Sequence, residues 1–449
     1  MRLLDRFYYL LVLCWRGALR HRRRSMLVIS TAAVGMTGVL FSMGFSNGMM
    51  DSMISGSIES GMGHVQIRPE GFKRKRKVDS RLQSPEELLS EIKALPYPSD
   101  LQPVHVAGRF EREGLLRIGS YQEGVVVTGI NPETEKDVSS FDNWITDGSY
   151  LPPRERNTRE SDAEAELGII PCLIGRINAD RMEVEVGDYV ILTVGNAQSE
   201  SVSIRAEIVG IFESPMTGVD RHTVLVRRSD LSQLYASGSD EMSNITILGP
   251  DLSRSGALDQ FVESRLAQNH RVHDVDSPDL ADPNAIEVLS FFQLQPQIEI
   301  MLDYIDQIKG IIYAVLMSGF ALTLLNSVLM SVFERTREIG IQRAIGTRKS
   351  FIIASIIIES LILAFGGAIA GLIVGGGLVL TLSVTGLPLQ AFAGGIEMMG
   401  SMGTVIYPRI TFEDISMGFY VSIIMSILAS IYPAYKATSI QPVEAIANR

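Results

Sequence analysis

Residue types that perform chemistry are present in this 449-residue sequence in few arrangements that would let them act together. His270 and His273, with Asp274 and Asp276, offer imidazole and carboxylate donors of the kind a divalent metal takes. The same four residues also make an ordinary polar loop, and we expect no metal. Glu359 is the one ionisable residue close to an otherwise apolar run, at its end, where it can reach water or pair with Arg343 or Arg348. Gly367, Gly371 and Gly375 recur every four residues with no strand ahead of them, so they read as a small-residue face for helix packing, not as a phosphate loop. Cys172 lies in the apolar stretch 167–174 and reads as a buried thiol; Cys14 falls in a segment expected on the other side of a membrane, so the two cannot pair. Neither Gly-x-x-x-x-Gly-Lys-Ser/Thr, His-Glu-x-x-His nor a paired-cysteine spacing occurs. We expect no catalytic residue and no ATP hydrolysis by this chain.

Strong charge follows the second apolar run in one short segment, Glu334, Arg335, Thr336, Arg337, Glu338, Ile339, Gly340, Ile341, Gln342, Arg343, Ala344, Ile345, Gly346. Glu334 with Arg337 or Glu338, and Ile341 with Ile345, stand at helical spacing, and Gly346 suits a helix stop. A short amphipathic helix of this kind suits docking of a soluble partner.

What must position that helix is a set of charge-free apolar runs. Four of them, Ser25 to Met50, Gly310 to Phe333, Ser360 to Ile396 and Ile415 to Tyr435, reach or exceed the roughly 20 residues a helix needs to cross about 30 Å of hydrocarbon. The expected organisation is an amphipathic N-terminal segment 1–24, spans at 25–50, 308–333, 350–383 and 414–435, a large insertion at 51–307, the coupling segment 334–349, a loop at 384–413 and a tail at 436–449. Arg16, Arg20, Arg22, Arg23 and Arg24 precede the first span, and Arg335, Arg337, Arg343, Arg348 and Lys349 follow the second, which places both termini in the cytoplasm. The insertion then lies outside, with about 24 Lys+Arg against about 43 Asp+Glu. It accounts for the net charge of −11, and no nucleic-acid partner is expected. The basic block Lys73 to Lys77 is read as a solvated loop.

Within the insertion, short β-rich runs are expected at 64–68, 104–110, 115–118, 124–128, 189–194, 204–212, 223–226 and 244–248, with helices at 85–95, 230–236 and 255–267. Helical spacing at 51–61 and 285–306 predicts stalks that extend the first two spans, the second broken at Pro296. The expected fold is thus a membrane protein with four transmembrane α-helices, two extended as stalks, and an α+β extracytoplasmic domain between the first two. Segment 152–166, charged and poor in apolar residues, is expected to form a loop. The loop after the third span carries Phe392, Met398, Met399 and Met402, flexible apolar groups suited to an acyl chain or substrate.

The run Glu-Arg-Thr-Arg-Glu-Ile-Gly-Ile-x-Arg-Ala-Ile-Gly at 334–346 closely resembles the signature of the FtsX-like, MacB-type permease family of ABC transporters. The end Ile431 to Ala437 with Gln441 to Ile446 is similar to that family's C-terminus, with Tyr435 and Lys436 replacing a more basic pair. Gly63 to Ile67, Ile174 to Arg176 with Val186 to Asp188, and Val209 to Glu213 resemble the lipoprotein-releasing permeases of the LolCDE systems. The resemblance implies a subunit of the bacterial inner membrane with a MacB-like periplasmic domain. It implies a cytoplasmic ABC ATPase that binds the ATP and Mg, a second permease copy or paralogue, and contact with membrane lipid. The helix 334–345 would seat on the ATPase, and closure of the ATPase would move the stalks, a process called mechanotransmission. Release of lipoproteins to a periplasmic carrier is the leading function it implies; export of peptides or drugs and regulation of a peptidoglycan hydrolase are the alternatives.

Overall fold

The computed structural model describes residues 22–72, 81–153, 169–198, 200–235, 241–273, 285–388 and 405–439. The chain divides into two compact units, one of residues 51–300 with 389–405, the other of 1–50, 301–388 and 406–449. Helix α1, Arg22–Ser57, is 36 residues long, about 54 Å at 1.5 Å per residue, well beyond the hydrocarbon thickness. It therefore continues past the membrane, and it closes in one π-helical turn, Ile58–Met62.

In the unit 51–300, the strands form one ten-stranded sheet among the described residues. In chain order the elements are β1 (Val65–Pro69), α2 (Pro85–Lys93), β2 (His105–Ile118), β3 (Tyr121–Ile130), α3 (Pro132–Glu135), β4 (Ile145–Gly148), β5 (Ile169–Gly175), α4 (Arg176–Met182), β6 (Tyr189–Gly195) and β7 (Ser201–Phe212). Then come α5 (Thr217–His222), β8 (Thr223–Arg227), α6 (Arg228–Leu234), β9 (Asn244–Leu248), α7 (Ser255–Leu266), β10 (Ile286–Ser290) and α8 (Phe291–Leu294). The order is β10-β1-β9-β2-β3-β8-β5-β7-β4, with β6 bridging β2 and β7. The two largest apolar cores of this unit lie on this sheet. One, around Ile67, Ile92, Ile247, Leu258 and Val288, packs α2 and α7 onto β1, β9 and β10; the other, around Leu116, Cys172, Ile174, Leu192, Ile208 and Val226, fills the β2–β8 region. Strand β2 joins them: His105 to Arg109 pair with β9, and Phe110 to Ile118 pair with β3.

Several expectations change here. Runs 104–110 and 115–118 are one strand, because Glu111 to Gly114 continue the ladder with β3. Strands β4 and β5 were not expected; Pro171 weakens the signal of β5, and the β8 ladder starts beyond it, at Cys172. Residues 285–306 are not one stalk. Ile286 to Ser290 pair with β1, α8 follows, and Gln295 leaves helical geometry (φ −123°, ψ 63°) as the residue before a proline is driven to do. Ser84 takes a left-handed conformation and gives α2 no side-chain cap, while α6 starts two residues earlier than its acidic signal suggested.

In the other unit, α9 (Pro296–Glu334), α10 (Thr336–Ala344), α11 (Lys349–Thr385) and α12 (Phe412–Ser439) follow. Pro296 opens α9, where its missing N–H costs nothing. Helices α1, α9, α11 and α12 are the four transmembrane helices. Their outer faces are apolar: Ile311, Val315 and Leu322 on α9, Ile373, Leu380 and Val384 on α11, and Ile424 and Leu428 on α12 are exposed, as hydrocarbon requires and water does not tolerate over such an area. Exposed Phe412 stands at one end of α12 and Tyr432 and Tyr435 at the other, as aromatic side chains do at membrane interfaces.

The structure places Gly367, Gly371 and Gly375 of α11 against α1. A Cβ on Gly367 would lie 2.2 Å from Ala32 Cβ, one on Gly371 2.6 Å from Met36 Cβ, and one on Gly375 2.9 Å from Thr37 Cα. Thr37 Oγ1 donates to the Gly371 carbonyl at 3.3 Å across the gap. Close backbone approach of this kind replaces the hydrophobic effect as the glue between helices in lipid. We expect Gly371→Val to destabilise the protein by about 1–3 kcal/mol in reversible denaturation from lipid. Gly377→Val should be tolerated, since nothing lies within 4 Å of its Cβ position.

Candidate functional site

Helix α9 ends at Glu334, Arg335 leaves helical geometry (φ −100°, ψ 12°), and α10 runs from Thr336 to Ala344. The single hydroxyl proton of Thr336 is shared between the Val332 and Phe333 carbonyls, 3.1 and 2.8 Å away, at the break. At the far end the Thr347 N–H donates to the Gln342 carbonyl (3.0 Å) and the Gly346 N–H to that of Arg343 (3.1 Å). This is a Schellman cap, and Gly346 takes the positive φ of 94° that the cap needs. The chain then turns into α11.

The charged segment has two faces. Inward, Ile339 packs with Val332 of α9, Ile352 of α11 and Ala437 of α12, and Gly340 is buried beside it. Arg335 Nη1 lies 2.9 Å from Glu359 Oε2, their side chains 21% and 12% exposed. Arg343 Nη1 donates to the Thr438 carbonyl at 2.8 Å, in the last turn of α12, where the helix dipole favours a cation. Outward, Glu334, Arg337, Glu338, Ile341, Ala344, Ile345 and Gly346 are exposed, Ile345 at 78%. The expectation that Glu359 pairs with Arg343 or Arg348 is therefore corrected. Arg335 stands at the helix break facing α11, whereas Arg343 is turned to the end of α12.

Reading the segment as one docking set missed this division and missed Thr438. The i−4 spacing of Thr336 on Val332 was the only local sign that the helix is tied back to the membrane helices. Phe392, Met398, Met399 and Met402 lie outside the described residues, as do Lys73 to Lys77, Asp274, Asp276, Gln441 to Ile446 and nearly all of 152–166. His270 and His273 go to different partners: His270 Nε2 is 2.7 Å from Glu91 Oε2, and His273 Nδ1 is 3.5 Å from Glu70 Oε1. Hydrogen bonds from His270 and Asn269 hold the Glu91 carboxyl below its ordinary range. Among the described residues no group of three or more His, Cys, Asp or Glu could hold a metal. Cys172 is fully buried, and burial pushes its thiol well above the ordinary value, so the thiolate that reacts is suppressed.

The other motif residues of the insertion have structural roles. The Arg176 and Ile177 N–H groups at the start of α4 donate to the Asp220 carboxylate at 3.3 and 2.9 Å, and a Cβ on Gly175 would lie 1.8 Å from the Asp220 carbonyl oxygen. Asp188 accepts from the Glu185 N–H at 2.8 Å in a turn where Gly187 has φ 96°. His64 Nδ1 accepts from the Gly249 N–H at 3.0 Å, and burial pushes its pKa down, which keeps the imidazole neutral for that role.

Residues 25–263 match the MacB-like periplasmic core domain, and residues 310–442 the FtsX-like permease C-terminal domain. The chain is 23% identical over 360 residues to the lipoprotein-releasing system transmembrane protein LolC of Xylella fastidiosa strain 9a5c, covering 78% of each chain. It is 22% identical over 450 residues to the macrolide export ATP-binding/permease protein MacB of Shewanella sp. strain ANA-3, covering 99% of this chain and 61% of that one. Against MacB of Marinobacter nauticus it is 27% identical over 246 residues, 54% of this chain and 33% of that protein. The chain thus spans between a third and three-fifths of the length of these two MacB proteins.

The inward face gives a measurable coupling. Arg335→Gln and Glu359→Gln should each lower stability in lipid, and the double variant should fall short of the sum by about 1–2 kcal/mol. Strict additivity in that double-mutant cycle would mean that the pair does not hold α10.

Proposed function

This chain belongs to the family defined by the MacB-like periplasmic core and FtsX-like permease domains, and from that premise we propose that it is the permease of an ABC transporter driven by a separate cytoplasmic ATPase. The observation that carries the reading is the two-faced helix α10. One face is tied to α9, α11 and α12 through Ile339, Arg335 and Arg343, and the other presents Arg337, Glu338, Ile341 and Ile345 to a partner. A push on the exposed face would reach three membrane helices at once. In this reading α10 and both termini are cytoplasmic, and residues 51–300 work on the outer side of the bacterial inner membrane. The ATPase holds the ATP and Mg, and a second permease copy or a paralogue completes the assembly.

Lipoprotein release to a periplasmic carrier is the substrate reading we favour, because the likeness to LolC covers equal shares of both chains. The match to MacB over nearly the whole of this chain supports export of a peptide or drug as the second reading. The test reconstitutes the chain with its ATPase in lipid nanodiscs and follows ATP turnover together with transfer of an acylated lipoprotein to a soluble carrier. ATP-dependent transfer that disappears with the non-acylated protein is the expected result; coupled ATP turnover without transfer would move the assignment to export. Arg337→Ala with Glu338→Ala should return ATP turnover to that of the ATPase alone while membrane insertion stays normal. Undiminished stimulation would exclude α10 as the docking element.

A further inference from the structure

The C-terminal end of α1 is held in the unit 51–300 in a way that ordinary helix termination does not require. Four successive carbonyls of the π-helical turn, which have no further helix to bond, each meet a donor from a different element. The Glu59 carbonyl accepts from the Ser140 N–H at 2.8 Å, Ser60 from Arg109 Nη1 at 3.5 Å, Gly61 from Thr246 Oγ1 at 3.5 Å, and Met62 from Gln66 Nε2 at 2.9 Å. Arg109 is the centre of this seat. Its guanidinium, 5% exposed, also binds both oxygens of Glu135, which is fully buried at the end of α3. Gly61 has φ 85°, and a Cβ there would fall 1.5 Å from Arg109 Nη2, so the turn and the guanidinium fit only with glycine.

The network spreads from the seat along β1 and β2 to the residue before β9. Gln66 Oε1 accepts from Arg68 Nε at 2.8 Å, and Arg68 Nη1 pairs with Glu111 at 3.0 Å. The Glu111 N–H donates to Ser243 Oγ, whose hydroxyl in turn donates to the Arg109 carbonyl at 3.3 Å. Arg109 is also the last residue of β2 that pairs with β9 before the strand passes to β3. Thus one guanidinium touches the helix end, the strand shared by the two cores, and α3. A buried ion pair is weak support for stability, since well-packed apolar residues often hold a fold as well, so its specific geometry calls for another reason.

We propose that the Arg109–Glu135 pair is the joint that makes the end of α1 and the two-core outer domain move as one body. The proposal rests on the mechanical reading above. Helix α1 is continuous from Arg22 to Ser57, so displacement along it arrives at this turn; the joint converts it into movement of β2 and, through β2, of both cores.

The test uses the full chain with its ATPase in nanodiscs and three forms: wild type, Arg109→Met with Glu135→Met, and Gly61→Ala. The paired substitution removes the ion pair without leaving a lone buried charge, which keeps the fold. Gly61→Ala displaces the guanidinium from Ser60 without removing any charge. Expected for both variants is ATP turnover within about twofold of wild type, substrate movement reduced at least about tenfold, and faster hydrogen exchange at the Ser140 amide, which reports the seat directly. Unchanged substrate movement in either variant, beside an active wild type, overturns the joint alone. A wild-type chain that moves no substrate in an ATP-dependent way overturns the mechanical reading and the joint with it. Should the double variant fail to fold, Gly61→Ala decides by the same two readouts.

Discussion

A helix cannot satisfy its own last carbonyls, and how this chain satisfies them ties much of the structure together. Water would serve at an exposed end. Here the donors come from other elements: Arg343 of α10 for the end of α12, and Ser140, Arg109, Thr246 and Gln66 for the end of α1. All but the Gln66 bond, which reaches back four residues, make a helix terminus into a fastening between segments far apart in sequence. A displaced helix then carries its neighbours with it, because breaking the fastening would leave a buried acceptor without a partner.

The unit that spans the membrane is fastened near both of its ends and packed closely in between. Near one end, Asn47 Nδ2 donates to Asp414 Oδ2 at 2.8 Å, and Lys309 Nζ reaches Asn47 Oδ1 at 3.3 Å, linking α1, α9 and α12. Near the other, Arg335–Glu359 and Arg343–Thr438 link α10 with α11 and α12. Between them the glycine face of α11 lies on α1 with no room for a methyl group. These charged and amide groups thus sit towards the helix ends, where their desolvation costs least, and small residues hold the middle.

In the outer domain the two largest apolar cores share one strand. Strand β2 is fourteen residues long and belongs to both. Its changeover point at Arg109 and Phe110 is where the buried polar network is densest, while Phe110 itself stacks edge-on with Tyr235 in the second core. Apolar packing alone would leave the two cores free to adjust separately. A hydrogen-bonded network has one satisfied arrangement and fixes their relation.

Four membrane spans and a charged helix between the second and third were legible in the sequence, because charge-free runs of about twenty residues have few other uses and the segment 334–346 concentrates charge beside them. Most strands were legible too, wherever an apolar run ended at glycine, proline or aspartate. Residues 286–290 were not, since Ile286, Val288 and Leu289 suit a strand as well as a helix, and pairing with β1, more than two hundred residues earlier, decides for the strand. The direction of each charge on α10 was equally closed to sequence reading. Arg335 and Arg343 look alike on a short helix, yet one meets Glu359 and the other a carbonyl 95 residues away. Composition and period fix which segments enter lipid and which bear charge, since those are local free energies of transfer; partners are chosen by which unsatisfied group the fold brings within 3 Å, and only the tertiary structure sets that.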